Sequence, residues 1–321
     1  MKKNIMGMLV FGLILTGCGS KTSKPIRIVL DWTPNTNHTG LYVAQEKGFF
    51  KAQGLEVEIV QPPEGSTTAL IGAGGAEFGV SFQDTMAPAL ASDHPLPVTA
   101  VAALIQHNTS GIVSLKEKGI DAPRKLAGHT YATWDSPIEQ AIIHKIVTDD
   151  GGDYDAINMV PNTVTDVVSA LQTNLDAVWI FKGWDGIAIE QAGLETNFLN
   201  FADYGSELDY YSPVLIANND YLETHGDEAR SVLKAIQEGY EYAIDKPDEA
   251  AEILVRNVPE LDLELMKASQ QYLAHEYKAE VAQWGRIDSV RWNKFYTWLY
   301  EHELIAMPIG EDVGFTNDYL N

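Results

Sequence analysis

The sequence predicts an α/β chain folded into two lobes, and three observations carry that expectation. Short β-branched runs alternate with helix-spaced segments from Ile26 onward, and strand, helix, strand successions build parallel sheets with right-handed crossovers. The alternation then stops and restarts, which marks a second sheet. At 321 residues the chain also exceeds what one compact core usually holds.

The segments follow in order. Ile26–Leu30 is a β-branched run, Gly40–Lys51 has helical spacing ending at Gly54, and Val57–Val60 is the next strand. A helix at Ser66–Ala73, a strand at Phe78–Ser81, a helix at Thr85–Ala91 and a strand at Pro97–Ala103 complete the first unit. The second repeats the plan with strands at Thr130–Trp134, Ile157–Val160, Asp176–Ile180 and Phe198–Phe201, and helices at Pro137–Thr148, Thr165–Gln172 and Gly186–Ala192. After Val214–Ala217 the chain reads as helices at Asp227–Ile244, Pro247–Arg256, Leu261–Tyr277 and Ser289–Glu303, capped at Asp227 and Ser289. Lobe 1 is therefore expected over residues 25–114 and 209–321 and lobe 2 over 115–208, with crossings near Gly111–Leu115 and Leu208–Pro213.

The N-terminus reads as an export signal. Met1-Lys2-Lys3 is basic, Ile5–Leu15 is apolar apart from two glycines, and Leu15-Thr16-Gly17-Cys18 follows. The apolar run is too short to span a bilayer. Its ending, with the polar Gly19–Lys24 stretch, resembles a bacterial lipoprotein signal, which implies a signal over residues 1–17, lipidation at Cys18, a tether over 18–24 and an extracytoplasmic domain anchored to the cell membrane. Cys18 is the only cysteine, so it has no intramolecular disulfide partner. An ordinary cleaved signal with an incidental cysteine is the alternative.

Net charge is -23, and losing Lys2 and Lys3 with the signal leaves 20 basic residues against 45 acidic. That surface repels nucleic acid, so no nucleic-acid partner is expected. The acidic runs Glu223–Glu228 and Asp245–Glu252 read as solvated helix faces.

The densest chemical cluster is Asp31-Trp32-Thr33-Pro34-Asn35-Thr36-Asn37-His38-Thr39-Gly40-Leu41-Tyr42, directly after the first strand. Ligands in open α/β sheets bind at the carboxyl ends of strands, where helix N-termini converge. Trp32 offers a stacking face there, and Asn35, Asn37 and His38 offer donors and acceptors.

This string, with EFGVSFQD, NTSGI, WDSPIE and DAVWIFKGWDGI further on, resembles the periplasmic-binding-protein family that includes pyrimidine-precursor synthases of thiamine biosynthesis. The match covers nearly the whole mature chain. Within the family it is most similar to lipoproteins that deliver N-formyl-4-amino-5-aminomethyl-2-methylpyrimidine to a thiamine-salvage ABC importer. The resemblance implies a type II two-lobed fold closing on a flat heterocycle, with permease and ATPase subunits as partners and no cofactor. Riboflavin or another flat heterocycle is the alternative ligand.

A flat aminopyrimidine needs aromatic faces and a few directed polar groups. Trp32, Phe181 and Trp184 are the expected faces, with Trp134 and Trp179 ranked below them because they sit on strands. Asp185, just past a strand end, is the first choice to accept from an exocyclic amine; the competing role is a helix N-cap. Tyr42, Ser81, Gln83, Ser136 and Glu139 are further candidates, with Asp84 and Ser110 below them. Tyr210 and Tyr211 either gate the cleft or pack beside it.

Enzyme readings are weaker. His38 stands where the related synthases sacrifice a histidine, but the cysteine-rich motif of their iron site is absent. No Gly-x-Ser-x-Gly elbow, His-Glu-x-x-His motif or Walker sequence occurs either.

Overall fold

The structure is a computed structural model that describes residues 24–62 and 65–320. The signal, Cys18 and most of the tether lie outside the described residues. Among the described residues no helix is long and apolar enough to cross a membrane.

Strands β1 (Ile26–Val29), β2 (Val57–Val60), β3 (Phe78–Ser81), β4 (Val98–Ala103) and β10 (Val214–Asn218) form one sheet in the order β2-β1-β3-β10-β4. Strands β5 (Ser110–Leu115), β6 (Thr130–Thr133), β7 (Asn158–Pro161), β8 (Ala177–Phe181) and β9 (Thr196–Asn200) form the other, in the order β7-β6-β8-β5-β9. The pairings β1 with β2 and β3, and β6 with β7 and β8, are parallel. In each sheet the antiparallel strand has crossed from the other lobe. β10 returns into the first sheet and β5 enters the second.

This corrects the expected boundary. Gly111–Leu115 was expected to cross between lobes, yet it belongs to β5, in the interior of the second sheet, so the crossing precedes Ser110. Gly111 opens the segment expected to cross between the lobes. In the fold it is required by close approach, because a Cβ there would lie 2.3 Å from Leu199 O on β9. The return crossing runs from the end of β9 to β10 and includes the expected Leu208–Pro213 segment.

The long C-terminal helices pack on lobe 1. Helix Gly226–Asp245 buries Val232, Leu233, Ile236 and Tyr240 in one cluster with Ile28, Val80, Val101 and Leu215 of the first sheet. It crosses helix Thr39–Glu46 at two glycines. A Cβ on Gly239 would lie 2.0 Å from Gly40 O, and one on Gly40 would lie 2.3 Å from the Tyr240 ring. That crossing fixes the helix that continues directly from the Trp32–His38 segment.

Three local expectations change. The Gly40–Lys51 helix is two helices, broken at Gly48, which adopts φ 77°. The cap of helix Ser289–Glu301 is Asp288, whose side chain accepts from Arg291 N–H, and not Ser289. Asp227 does not cap helix Gly226–Asp245 but lies in its first turn, where an acidic group complements the helix dipole.

Candidate functional site

The carboxyl ends of β1, β3, β6, β7 and β8 converge on a cleft of about 320 Å³ between the lobes. That size suits a small molecule and lies at the low end of the usual ~300–1,000 Å³. Lobe 1 contributes Asp31, Trp32, Asn35, Asn37, Phe82 and Leu273; lobe 2 contributes Trp134, Thr163–Thr165, Phe181 and Gly183–Asp185; Ile105, Thr109 and Ser212 close the hinge side.

The Asp31–His38 segment is a capped turn and a cleft wall at once. Asn35 caps the single 3-10 turn Thr36–His38, its Oδ1 accepting from Asn37 N–H at 2.9 Å. His38 is fully buried. Its Nδ1 accepts from Asn35 N–H at 3.2 Å, so Nε2 carries the proton and donates to Asp31 Oδ1 at 2.6 Å. Both ring nitrogens are thereby used inside lobe 1, and the imidazole orients the Asp31 carboxylate on the cleft wall. Trp32, 56% exposed, lines the cleft.

Lobe 2 supplies the opposing faces. Phe181 ends β8 and stacks on Phe82 of lobe 1, with centroids 6.1 Å apart and 23° between planes. Residues Lys182–Gly186 then form a π-helical turn that carries Trp184 and Asp185 to the cleft. Burial pushes the Asp185 carboxyl up from 3.8 to about 6, against the N–H groups of Phe181 and Asp185 itself, which hold it down. The following helix, Ile187–Gln191, has Gly186 at its N-cap and no side-chain cap bond, so Asp185 is free of the capping role.

Trp134 lines the cleft, contrary to its low rank, because β6 ends at Thr133 and the next residue has left the sheet. Trp179 is core: it is buried, and its ring lies 5.4 Å from Trp134 and 4.1 Å from Phe201. Asp135 takes a left-handed φ of 62°, which aspartate tolerates better than most residues.

Several expected contacts stand behind the wall instead. Glu139 is buried and accepts from Tyr131 OH, Thr133 Oγ1 and Trp134 N–H, each at 2.9 Å. Its carboxyl is raised by burial, with those donors opposing the rise. It shapes the Trp134 turn and does not line the cleft. Ser81 pairs with Thr68 at 2.6 Å. Gln83 is held between Trp292 O and Tyr211 N–H, within lobe 1. Ser136 sits at the N-cap position of helix Pro137–Asp149 without a cap bond and lines nothing. Tyr42 is buried among Ala251, Leu254 and Met266, and burial pushes its hydroxyl up to about 12. His38 likewise acts through Asp31. Hydrogen-bond partners hold Glu139, Ser81, Gln83 and His38 behind the wall, and apolar packing within lobe 1 holds Tyr42 there.

Asp84 accepts from Thr85 N–H in its own helix, and Ser110 donates to Asn108 Oδ1. Tyr210 stacks on Phe295 at 4.1 Å and is buried with Tyr211, so both pack and neither gates. The sequence reading missed Asp31, Phe82 and Thr163–Thr165 as wall residues, whereas Asn37, expected there, does line the cleft. Asp31 and Phe82 had a usable signal, since each closely follows a strand end. Among the described residues no group of three or more His, Cys, Asp or Glu side chains is placed to hold a metal ion.

A family model described as NMT1/THI5 like matches residues 35–250. The chain is 28% identical over 325 residues to a formylaminopyrimidine-binding protein of Halalkalibacterium halodurans, covering 98% of each. It is 25% identical over 253 residues to a 4-amino-5-hydroxymethyl-2-methylpyrimidine phosphate synthase of Legionella pneumophila, covering 75% of this chain and 76% of that one. Among solved structures, the periplasmic aliphatic sulphonate binding protein SsuA of Escherichia coli superposes with a TM-score of 0.69 at 16% identity, covering 90% of each chain. That likeness shows the two-lobed binding-protein fold.

Proposed function

The chain belongs to the NMT1/THI5-like family, and from that membership we propose that it is the substrate-binding protein of an ABC importer that captures a formylaminopyrimidine for thiamine salvage. One observation carries the ligand class: aromatic side chains from both lobes, Trp32 and Phe82 with Trp134, Phe181 and Trp184, line a cavity whose ionisable wall residues, among the described residues, are two carboxylates, Asp31 and Asp185. A flat, neutral ring bearing N–H donors fits such walls, since aromatic side chains stack on it and each carboxylate takes a donor. Among the described residues no lysine or arginine lines the cleft, so a sulfonate or nitrate would find no cationic partner beside the two carboxylates. Binding is reversible capture: the faces desolvate the ring, the lobes hinge about the two crossings, and the closed form docks on the permease.

A synthase is the second reading, favoured by the Legionella relative. Against it stands His38, which is buried behind Asp31 with both nitrogens engaged and reaches no part of the cleft wall. Anchoring through Cys18 is part of the proposal. Its support is the signal pattern, and Cys18→Ser should abolish palmitate labelling.

Mass spectrometry of ligand released from gently purified protein tests the reading, together with calorimetric titration of N-formyl-4-amino-5-aminomethyl-2-methylpyrimidine. A released flat aminopyrimidine that rebinds is the expected result. Release of riboflavin, or of an anion, would overturn the choice of ligand.

A further inference from the structure

The turns that carry the two cleft carboxylates come from opposite lobes, and one lobe 1 helix, Leu263–Glu276, touches both. Ser269 of this helix has no exposed surface. Its hydroxyl donates to Gly183 O of lobe 2 and lies 2.6 Å from Thr36 Oγ1 of lobe 1. A serine has a single proton, and Gly183 O can only accept, so Thr36 donates to Ser269 and Ser269 donates to Gly183. Thr36 belongs to the turn in which His38 orients Asp31. Gly183 belongs to the turn that presents Trp184 and Asp185.

The surroundings let the lobes meet at this point. A Cβ on Gly183 would lie 2.7 Å from Leu273 Cδ2, so a side chain there would have to displace Leu273 for the lobe 2 backbone to reach the helix as closely. Gln191 Nε2 of lobe 2 donates to Glu264 O near the start of the same helix, at 3.2 Å. Trp184 packs on the lobe 1 cluster of Tyr42, Ala251, Leu254 and Met266.

We propose that Ser269 is a positioning residue for binding: its hydroxyl joins the Asp31 turn to the Asp185 turn when the lobes close, and the junction must part before ligand leaves. This rests on the cleft being the ligand site. With the lobes apart, water satisfies Gly183 O; with them closed and no hydroxyl at 269, that carbonyl is buried without a partner. The penalty falls on the closed form alone.

The test uses Ser269→Ala, Gly183→Ala, which blocks the same approach from the other lobe, and Ser231→Ala as a control. Ser231 is a serine whose hydroxyl bonds only within its own helix, to Asp227 O at 3.0 Å. Hydrogen exchange over residues 182–187, with no ligand added, should be about tenfold faster in both latch variants and unchanged in the control, the effect of one buried hydrogen bond lost. Stopped-flow tryptophan fluorescence with N-formyl-4-amino-5-aminomethyl-2-methylpyrimidine should show koff about tenfold higher with kon within about twofold, because only the closed form loses the bond. Wild-type exchange rates in Ser269→Ala and Gly183→Ala, or an affinity loss carried by kon, would overturn the latch. If the pyrimidine fails to bind the wild-type protein, the proposed ligand falls; the exchange measurement still decides the latch.

Discussion

Asp185→Asn separates the roles of the cleft carboxylates. The Asp185 carboxyl stands at about 6 against 3.8 in water, so holding it ionised at pH 7 costs the folded protein about 3 kcal/mol at roughly 1.4 kcal/mol per pH unit. The folded form binds the proton more tightly, so stability falls as pH rises from 3.8 to about 6, and the whole penalty stands above that. An amide does not titrate. The variant should therefore melt several degrees higher at pH 7, and its advantage should shrink as pH falls from about 6 and vanish below 3.8. Binding should change the other way. A ligand amine that donates to the carboxylate relieves the desolvated charge; losing that charge-assisted bond should cost about 1 to 3 kcal/mol, up to some hundredfold in Kd. Because an amide also donates, Asp185→Asn should narrow the preference for an aminopyrimidine over its oxo analogue. Calorimetric titration of both ligands against both proteins, with thermal melts across pH, measures the two effects separately. An unchanged melting temperature would show the carboxylate to be solvated. An undiminished amino preference with an intact circular-dichroism spectrum would move the recognition to Asp31.

Trp32→Ala and Trp134→Ala should each weaken binding by about 1 to 3 kcal/mol, as an aromatic contact is lost, and ligand should quench tryptophan fluorescence; wild-type Kd in both variants by titration would leave the stacking faces to Phe181 and Trp184. Gly239→Ala places a methyl 2.0 Å from Gly40 O, so it should destabilise by roughly 1 to 3 kcal/mol or more in urea unfolding as the helix crossing is forced apart; an unchanged midpoint would show that the crossing yields. His107, at the hinge, binds Asp209 at 2.7 Å and Glu280 at 2.8 Å, and chiefly the Asp209 bond raises its pKa to about 9, with burial and then Arg291 opposing. A raised histidine stabilises fully below its unfolded pKa of about 6.5 and loses that contribution as pH rises through 9. Thermal melts from pH 7 to 9.5 should therefore fall more steeply for the wild type than for His107→Asn; parallel curves would refute the hinge ion pairs.

The strand and helix alternation, the strand-end location of the cleft segments and the aromatic residues of the cleft were legible in the sequence, because local periodicity and turn chemistry are written in neighbouring residues. Trp32, Phe181, Trp184 and Asp185 all follow or end a strand, and all reach the cleft. Which strand-end polar groups face the cavity was not legible. Glu139, Gln83, Ser81 and His38 occupy positions of the same kind, yet each is turned inward by a hydrogen-bond partner, and the partners of Gln83 lie more than a hundred residues away. The start of lobe 2 was likewise misplaced, since Gly111 opens the segment expected to cross between the lobes until Leu199 O is seen beside it. Sequence spacing determines which residues arrive at the end of a strand. Whether such a side chain lines the cleft or stays in the wall is decided by which groups the fold places beside it, near in sequence for Ser81, His38 and Glu139 and distant for Gln83, because a buried polar group left without a partner is costly.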